Sequence, residues 1–160
     1  MSTSTDSIAA IRVRPADHDD VLLMARWAAA MALETENKQL HAATVTAGIR
    51  AGLDDPQRSC YFMAEIAGQP VGTLMYTFEW SDWRNAWWWW IQSVYVAPEH
   101  RRKGVYAALY AHLRVLAESH EDVCGIRLYV ERENVRAQRT YESLGMVDSG
   151  YRIYEFDAGK

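Results

Sequence analysis

The junction between a strand and a helix near residue 100 is the feature that most constrains the fold. Residues 87–96 (WWWWIQSVYV) are mostly aromatic or β-branched, as in a strand, and Ala97-Pro98 ends the pattern. The apolar residues after Gly104 then follow the spacing of a helix with one buried stripe: Val105, Leu109, Leu113 and Leu116. A further strand is predicted at 125–130, so this helix crosses over between two strands, and we expect the two to pair in parallel.

The rest of the chain predicts an antiparallel meander around that crossover. The strand-like segments 60–66 and 70–78 are joined by Ala67-Gly68-Gln69, a hairpin connection that contains the expected glycine. The predicted elements in chain order are a strand at 11–14, a helix from the N-cap Asp17 to Glu34, a helix at 44–53, strands at 60–66, 70–78 and 87–96, a helix at 104–120, a strand at 125–130, a helix from Asn134 to Gly145, and a last strand within 146–156. We therefore expect an α/β (α+β) protein with a central mixed sheet.

Length and charge exclude several classes of protein. A chain of 160 residues fits one domain, expected at residues 9–157 behind a flexible tail at 1–8. The net charge of −4 argues against a nucleic-acid binder. No apolar run approaches the ~20 residues that span a bilayer, and the start lacks a basic leader, so we expect no membrane partner and a cytoplasmic location. Cys60 and Cys124 have no neighbouring ligands at metal spacing, so we expect small core residues and no metal.

Three cations precede the glycine at the start of the crossover helix. Arg101, Arg102 and Lys103 run into Gly104, where the first turn of a helix offers free N–H groups and the positive end of its dipole. Glycine there would let an anion approach the main chain, and the cations would add charge-assisted hydrogen bonds. A solvated turn explains the same four residues equally well. If the loop does bind an anion, a compact one such as a diphosphate suits an acidic protein best.

Two segments together resemble the acetyl-CoA-dependent N-acetyltransferases of the GNAT superfamily. They are VYVAPEHRRKGVYAALYAHL and, later, NVRAQRTYESLGM. The matching positions of the first are Val94, Val96, Pro98, Arg101, Gly104 and Tyr106; those of the second are Asn134, Ala137, Tyr141, Gly145 and Met146. One position departs from the family pattern, because Tyr106 stands where glycine or alanine is usual. A nucleotide-binding alternative is disfavoured, since neither a P-loop nor a G-x-G-x-x-G segment is present.

The resemblance implies a fold and a cofactor site. The fold would be a mixed, mostly antiparallel sheet of six to seven strands with about four helices, splayed at the fourth and fifth strands. The cofactor would be acetyl-CoA, bound as a co-substrate. Its implied contacts are Val94, Tyr95 and Val96 with the pantetheine arm, Arg101, Arg102, Lys103, Gly104, Val105 and Tyr106 with the diphosphate, and Asn134 and Tyr141 with the arm and thiol. The valines also suit an ordinary sheet core, and both descriptions can hold at once.

Direct acetyl transfer from a thioester to an amine requires an oxyanion donor, a leaving thiolate and loss of a proton. The resemblance implies Tyr141 as the general acid near the thiol, although a tyrosine on an apolar helix face is more often a core residue. We assign the oxyanion to the main-chain N–H of Val94. The acceptor would be a primary amine of a small molecule or peptide. The alternative function is a catalytically inactive CoA-binding sensor or partner module, favoured only by Tyr106.

The general base and the tryptophan run leave several alternatives open. The candidates for the base are Glu34, Glu36, Glu79, Asp82 and Gln92, of which we choose Glu34 and Asp82, either as bases or as groups that bind the acceptor. A water chain would make a dedicated base unnecessary. In the run at 87–90, alternation directs Trp87 and Trp89 to one face and Trp88 and Trp90 to the other. One pair can belong to the core, and the other could form an acceptor wall, a homodimer contact or an exposed surface.

Overall fold

Residues 10–159 are described by the computed structural model, so the predicted flexible tail at 1–8 lies outside the described residues. They form two compact units that divide between Tyr129 and Val130. The first unit holds the strands β1 (Ile11–Pro15), β2 (Cys60–Ile66), β3 (Gln69–Ser81), β4 (Ala86–Val96) and β5 (Val123–Leu128), and the helices α1 (Val21–Glu36), α2 (Ala42–Asp54) and α3 (Val105–Glu118). The second unit holds α4 (Val135–Ser143). The prediction of one domain over 9–157 stays a prediction.

The sheet has the strand order β1-β2-β3-β4-β5. The first four strands pair antiparallel in a meander. β5 returns through α3 and pairs parallel with β4. The prediction of a mixed, mostly antiparallel sheet with one parallel crossover is therefore confirmed.

The prediction of six to seven strands is wrong, because the described residues form five strands and residues 146–159 form none. Local hydrogen bonds replace strand pairing there. The Gly150 N–H donates to Asp148 Oδ1 over 2.8 Å, and the Tyr151 N–H donates to Ser149 Oγ over 3.4 Å. Such side-chain turns compete with an extended backbone, and Gly150 has a φ of 75°. The prediction of a last strand within 146–156 does not take these turns into account.

The sheet is buried on both faces. Met63 packs with Val21 and Met24 of α1 and Ile49 of α2 on one face. On the other face, Phe62 contacts His112 of α3 edge to face, with ring centroids 4.7 Å apart. The largest fully buried side chains lie in these two layers: Met63, Leu74, Leu109, Leu113, Val21, Val71 and Val105.

The tryptophan run alternates as predicted. Trp89 is buried on the α3 face, where its ring lies 4.9 Å from that of Tyr76. Trp88 faces the opposite way, and its ring is flanked by Arg84 at 5.1 Å and Arg127 at 3.9 Å. Trp90 donates its indole N–H to a glutamate carboxylate of β3. Two arginines therefore cover the Trp88 ring, which reduces the need for a partner protein at this position.

A β-bulge interrupts the alternation of β4. Ile91 pairs with Tyr76 and Ser93 pairs with Met75, so Gln92 is the extra residue. The sequence does not predict this bulge. Beyond the bulge the alternation is shifted by one residue, so each side chain points to the face opposite to the one that strict alternation predicts. These residues form the end of β4 on which the candidate site is built.

Candidate functional site

The carboxyl end of β4 has main-chain groups that no strand of the described residues engages. Its pairing with β5 ends at Ile91, opposite Leu128. The Ala97 N–H donates to the Val71 carbonyl of β3 over 2.9 Å. Because main-chain groups alternate along an antiparallel strand, those of Val94 and Val96 are directed away from β3. The splay stays a prediction, and a ligand with amide groups could pair with this edge as a further strand would.

Arg101 folds back over that strand end. Its Nε donates to the Val96 carbonyl over 3.0 Å, and its guanidinium lies 5.4 Å from the centre of the Tyr95 ring. The same guanidinium forms an ion pair of 2.8 Å with Glu34 of α1. The sequence prediction gave Glu34 and Arg101 separate roles, in the acceptor and cofactor sites. In the structure each side chain is the other's partner, so a phosphate at Arg101 would have to compete with a carboxylate.

Tyr95 joins the same cluster from β4. Its hydroxyl donates to Glu34 Oε1 over 3.3 Å, and its ring lies 5.8 Å from that of Trp27 in α1. Burial raises the pKa of Tyr95, and the neighbouring Glu34 carboxylate raises it further, so the phenol is neutral at neutral pH. The cluster of Glu34, Tyr95 and Arg101 therefore fastens α1 to the end of β4.

The start of α3 matches the predicted anion site in its backbone geometry. Gly104 has a φ of 83°, which favours glycine, and no side chain caps the helix. A Cβ at this residue would meet no heavy atom within 4 Å, so the approach to the first-turn N–H groups is open. Arg102 and Lys103 are exposed beside it. The ring of Tyr106 stacks on Tyr110 one turn along α3, with centroids 6.3 Å apart.

A cavity of about 340 Å³ lies between α1, α2 and the middle of the sheet. Its lining from β4 consists of Ser93 and Tyr95, the two residues on either side of Val94. Glu36 and Lys38 also line it. The sequence prediction missed Ser93 and named Tyr95 only as a contact of the pantetheine arm, because the direction of both side chains depends on the bulge at Gln92. The methionines of α1 were the available signal, since methionine often lines adaptable binding surfaces.

Asp82 lies away from this region. It belongs to the turn between β3 and β4, and its carboxylate accepts the Trp83 N–H over 2.9 Å. From Ala86 to Val94 the strand advances by about 27 Å. Direct proton transfer between Asp82 and an amine at Val94 would need contact at hydrogen-bond distance. Asp82 is therefore not the base in the function proposed below, and its role in binding the acceptor stays a prediction.

The second unit contains the other two predicted residues. Asn134 caps α4, its Oδ1 accepting the Ala137 N–H over 3.1 Å, as expected of an N-cap. Tyr141 lies within α4, and the Met146 N–H donates to its carbonyl over 3.1 Å where the helix ends. Burial raises the pKa of Tyr141, so its phenol is protonated at neutral pH. Gly145 has a φ of 89°, as the predicted helix end requires.

The described residues show neither a metal-binding cluster nor a membrane-spanning helix. Among residues 10–159, no group of three or more His, Cys, Asp or Glu side chains is arranged to hold a metal ion. None of the helices in that range has the length and apolarity that crossing a membrane requires. Cys60 and Cys124 are both free thiols in β2 and β5. Both are half-buried, and Cys124 precedes the strand predicted at 125–130.

Comparison with known proteins gives consistent matches. The sequence matches the profile of the Acetyltransferase (GNAT) family over residues 23–146. A possible acetyltransferase from Clostridium difficile 630 is 41% identical, with a TM-score of 0.86 over 92% of this chain and 97% of that one. No curated protein matches the sequence.

Two more distant structures share the fold. A predicted acetyltransferase with acetyl-CoA from Clostridium acetobutylicum has a TM-score of 0.73 and 18% identity over 92% of this chain and 96% of that one. A ribosomal-protein-alanine N-acetyltransferase from Brucella melitensis biovar Abortus 2308 has a TM-score of 0.74 and 19% identity over 94% and 100%.

Proposed function

From the premise that the chain belongs to the GNAT family of acetyltransferases, we propose that it transfers acetyl from acetyl-CoA directly to a primary amine of a small molecule or peptide. Membership of the family makes it an acyltransferase enzyme and supports acetyl-CoA as the co-substrate. The observation that carries the finer proposal is the edge of β4, where the main-chain groups of Val94 and Val96 are directed away from β3 beside the open start of α3.

The cofactor would bind with its arm along Val94–Val96 and its diphosphate at residues 101–106. The exposed Arg102 and Lys103 would bind phosphate oxygens together with the first-turn N–H groups of α3. Arg101 would contribute from its place over Tyr95, and Glu34 would position it. Tyr106 is compatible with this arrangement, because the stacking on Tyr110 holds its ring against the flank of the helix. Asn134 would contact the arm while its Oδ1 caps α4.

In the reaction, the neutral amine attacks the thioester carbonyl, a C–N bond forms and the C–S bond breaks. The Val94 N–H would stabilise the oxyanion. The family resemblance supports Tyr141 as the donor of a proton to the departing thiolate, and its raised pKa keeps the phenol protonated. The amine gives up one proton, either through water or to Glu36, whose side chain lines the cavity. Glu34 is a weaker candidate for this base, because Arg101 occupies it.

The inactive CoA-binding alternative rests on Tyr106 alone and is not favoured. A homodimer contact and a cytoplasmic location stay predictions. The two functions differ in turnover, so calorimetry with CoA should be paired with an assay of thiol release from acetyl-CoA over a panel of primary amines. Tight CoA binding with amine-dependent thiol release is the expected result. CoA binding without release on any amine would favour the inactive module, and absence of CoA binding would reject both functions.

Tyr141→Phe tests the general acid. We expect kcat to fall by about 100-fold, the lower end of the range for general acid catalysis, because a thiol is already a fair leaving group. The KM for acetyl-CoA should change little. Tyr154→Phe makes the same change at an exposed tyrosine of the second unit and should leave kcat unchanged. Equal kcat values for the two variants at every pH would remove Tyr141 from the mechanism.

A further inference from the structure

The cavity between α1, α2 and the sheet is small for a ligand site. Its volume of about 340 Å³ lies near the lower end of the ~300–1,000 Å³ that ligand pockets usually have. It reaches β4 at Ser93 and Tyr95, which flank the proposed position of the thioester carbonyl at Val94. An amine placed in this cavity would therefore have a compact body and would meet the acetyl group at one end.

The wall of the cavity is mainly apolar. Methionines come from two elements, Met24 and Met31 from α1 and Met75 from β3, and Leu40 and Ile49 add to them. The charged lining residues are one acid and one base, Glu36 and Lys38, and both are exposed. The lining therefore lacks the excess of carboxylates that would favour a polycation.

Three of the hydroxyl groups that line the cavity already donate hydrogen bonds within the protein. Thr35 Oγ1 donates to the Met31 carbonyl over 2.8 Å. Thr73 Oγ1 donates to the Phe62 carbonyl over 3.0 Å, and the Tyr95 hydroxyl donates to Glu34. With their protons committed, these three hydroxyl groups cannot donate to a ligand and can only accept from it. Against the mainly apolar wall, a bound polyol or a second ammonium group would lose hydrogen bonds to water with few replacements.

We propose that the acceptor is a primary amine on a compact apolar body, such as one aromatic ring or a short alkyl chain. The inference rests on the acetyl transfer proposed above and narrows its acceptor class. It disfavours polyamines, aminoglycosides and free amino acids, whose additional polar groups would have to enter this wall. The flexible methionines allow aliphatic and aromatic bodies alike.

Hexylamine and 1,5-diaminopentane provide a matched pair of acceptors. They have the same chain length, and only the far end differs, a methyl group in one and an ammonium group in the other. We expect kcat/KM for hexylamine to exceed that for the diamine by about 10- to 100-fold, since the second ammonium group would lose its hydration against a mainly apolar wall. Calorimetric titration of each amine into the complex of the enzyme with CoA should show the same preference without requiring turnover.

Two variants test the location of the acceptor. Ala28 lines the cavity, and Ala28→Leu should raise the KM for hexylamine by about 10-fold while leaving CoA affinity unchanged. Ala29 is the next residue of α1 and is exposed, so Ala29→Leu is the control and should change neither constant. Met31→Ala enlarges the same cavity and should shift the preference towards a longer alkylamine. Met31→Ala keeps the test valid if Ala28→Leu does not fold.

The outcomes separate this inference from the function on which it rests. Equal or better binding of the diamine, or an Ala28→Leu variant that behaves like Ala29→Leu while Met31→Ala leaves the preference unchanged, would overturn the apolar acceptor. In those cases CoA binding and thiol release on other amines would persist, and the acetyltransferase function would stand. Failure of the enzyme to bind CoA would instead overturn the proposed function.

Discussion

Alanine substitutions at Gly104 and Gly48 should have opposite effects on stability although the chemical change is identical. At both positions a new Cβ would meet no heavy atom within 4 Å, so neither variant creates a clash. The two glycines differ in backbone conformation. Gly104 precedes α3 with a φ of 83°, whereas Gly48 lies inside α2 and has no positive φ. The comparison therefore isolates the cost of the left-handed conformation.

The magnitudes follow from that difference. An L-residue in the left-handed region costs about 1–2 kcal/mol, so Gly104→Ala should lower the free energy of unfolding by that amount. Gly48→Ala should raise it by about 0.5–1 kcal/mol, because alanine restricts the unfolded chain and favours the helix. The two variants should therefore differ by about 1.5–3 kcal/mol, which equilibrium unfolding in urea resolves.

The same pair tests the cofactor site. A methyl group at Gly104 would stand in the open approach to the first-turn N–H groups of α3, so we expect the Kd for CoA to rise by about 10-fold, a cost of ~1.4 kcal/mol. Gly48→Ala should bind CoA like the wild type. Equal stabilities of the two variants would refute the reasoning about backbone conformation. Unchanged CoA affinity in Gly104→Ala would refute binding of the diphosphate at this end of the helix.

Two further substitutions test the packing of the sheet. Asp20, 6% exposed, receives two hydrogen bonds from Arg14 of 2.7 and 2.9 Å. Asp20→Asn should cost about 3 kcal/mol near pH 7, with the exposed Asp19→Asn as control. Burial opposes ionisation of Asp20, but the Arg14 hydrogen bonds, the Asp17 N–H and the charge of Arg14 together outweigh it and hold the pKa of Asp20 below the ordinary 3.8. The difference in the free energy of unfolding between the wild type and Asp20→Asn should therefore be complete above about pH 4 and disappear as the pH falls further. A difference that stays constant in acid would contradict this reasoning. Gly125→Ala would place a Cβ 2.5 Å from Trp88 Cζ3 and should cost about 1–3 kcal/mol in urea unfolding; no loss would show that the ring can move.

Periodicity in the sequence was sufficient to predict the elements of the first unit. The apolar stripe of α3, the hairpin between β2 and β3 and the aromatic composition of β4 each have one period that suits one type of element. The parallel partner of β4 followed from the crossover alone. The alternation of tryptophans was also predictable, because residues 87–90 precede the bulge at Gln92.

Pair contacts and turns could not be predicted in the same way. Glu34 and Arg101 are 67 positions apart, and only the packing of α1 on the sheet brings their side chains together. Each of the two residues lies in a segment whose composition is ordinary for a protein surface. The strand expected within 146–156 fails for another reason, because Asp148 and Ser149 satisfy nearby N–H groups that a sheet partner would otherwise need to bind.

The bulge at Gln92 explains how one strand can serve two substrates. Without it, the alternation set by Trp89 would continue, and Ser93 and Tyr95 would face α3 while Val94 faced the cavity. With it, Ser93 and Tyr95 line the cavity, and the main chain of Val94 between them is directed to the edge that β5 has left. A thioester held along that edge and an amine held in the cavity would therefore converge on three consecutive residues. Deletion of Gln92 should restore strict alternation and abolish acetyl transfer, and an active deletion variant would show that the bulge is unnecessary.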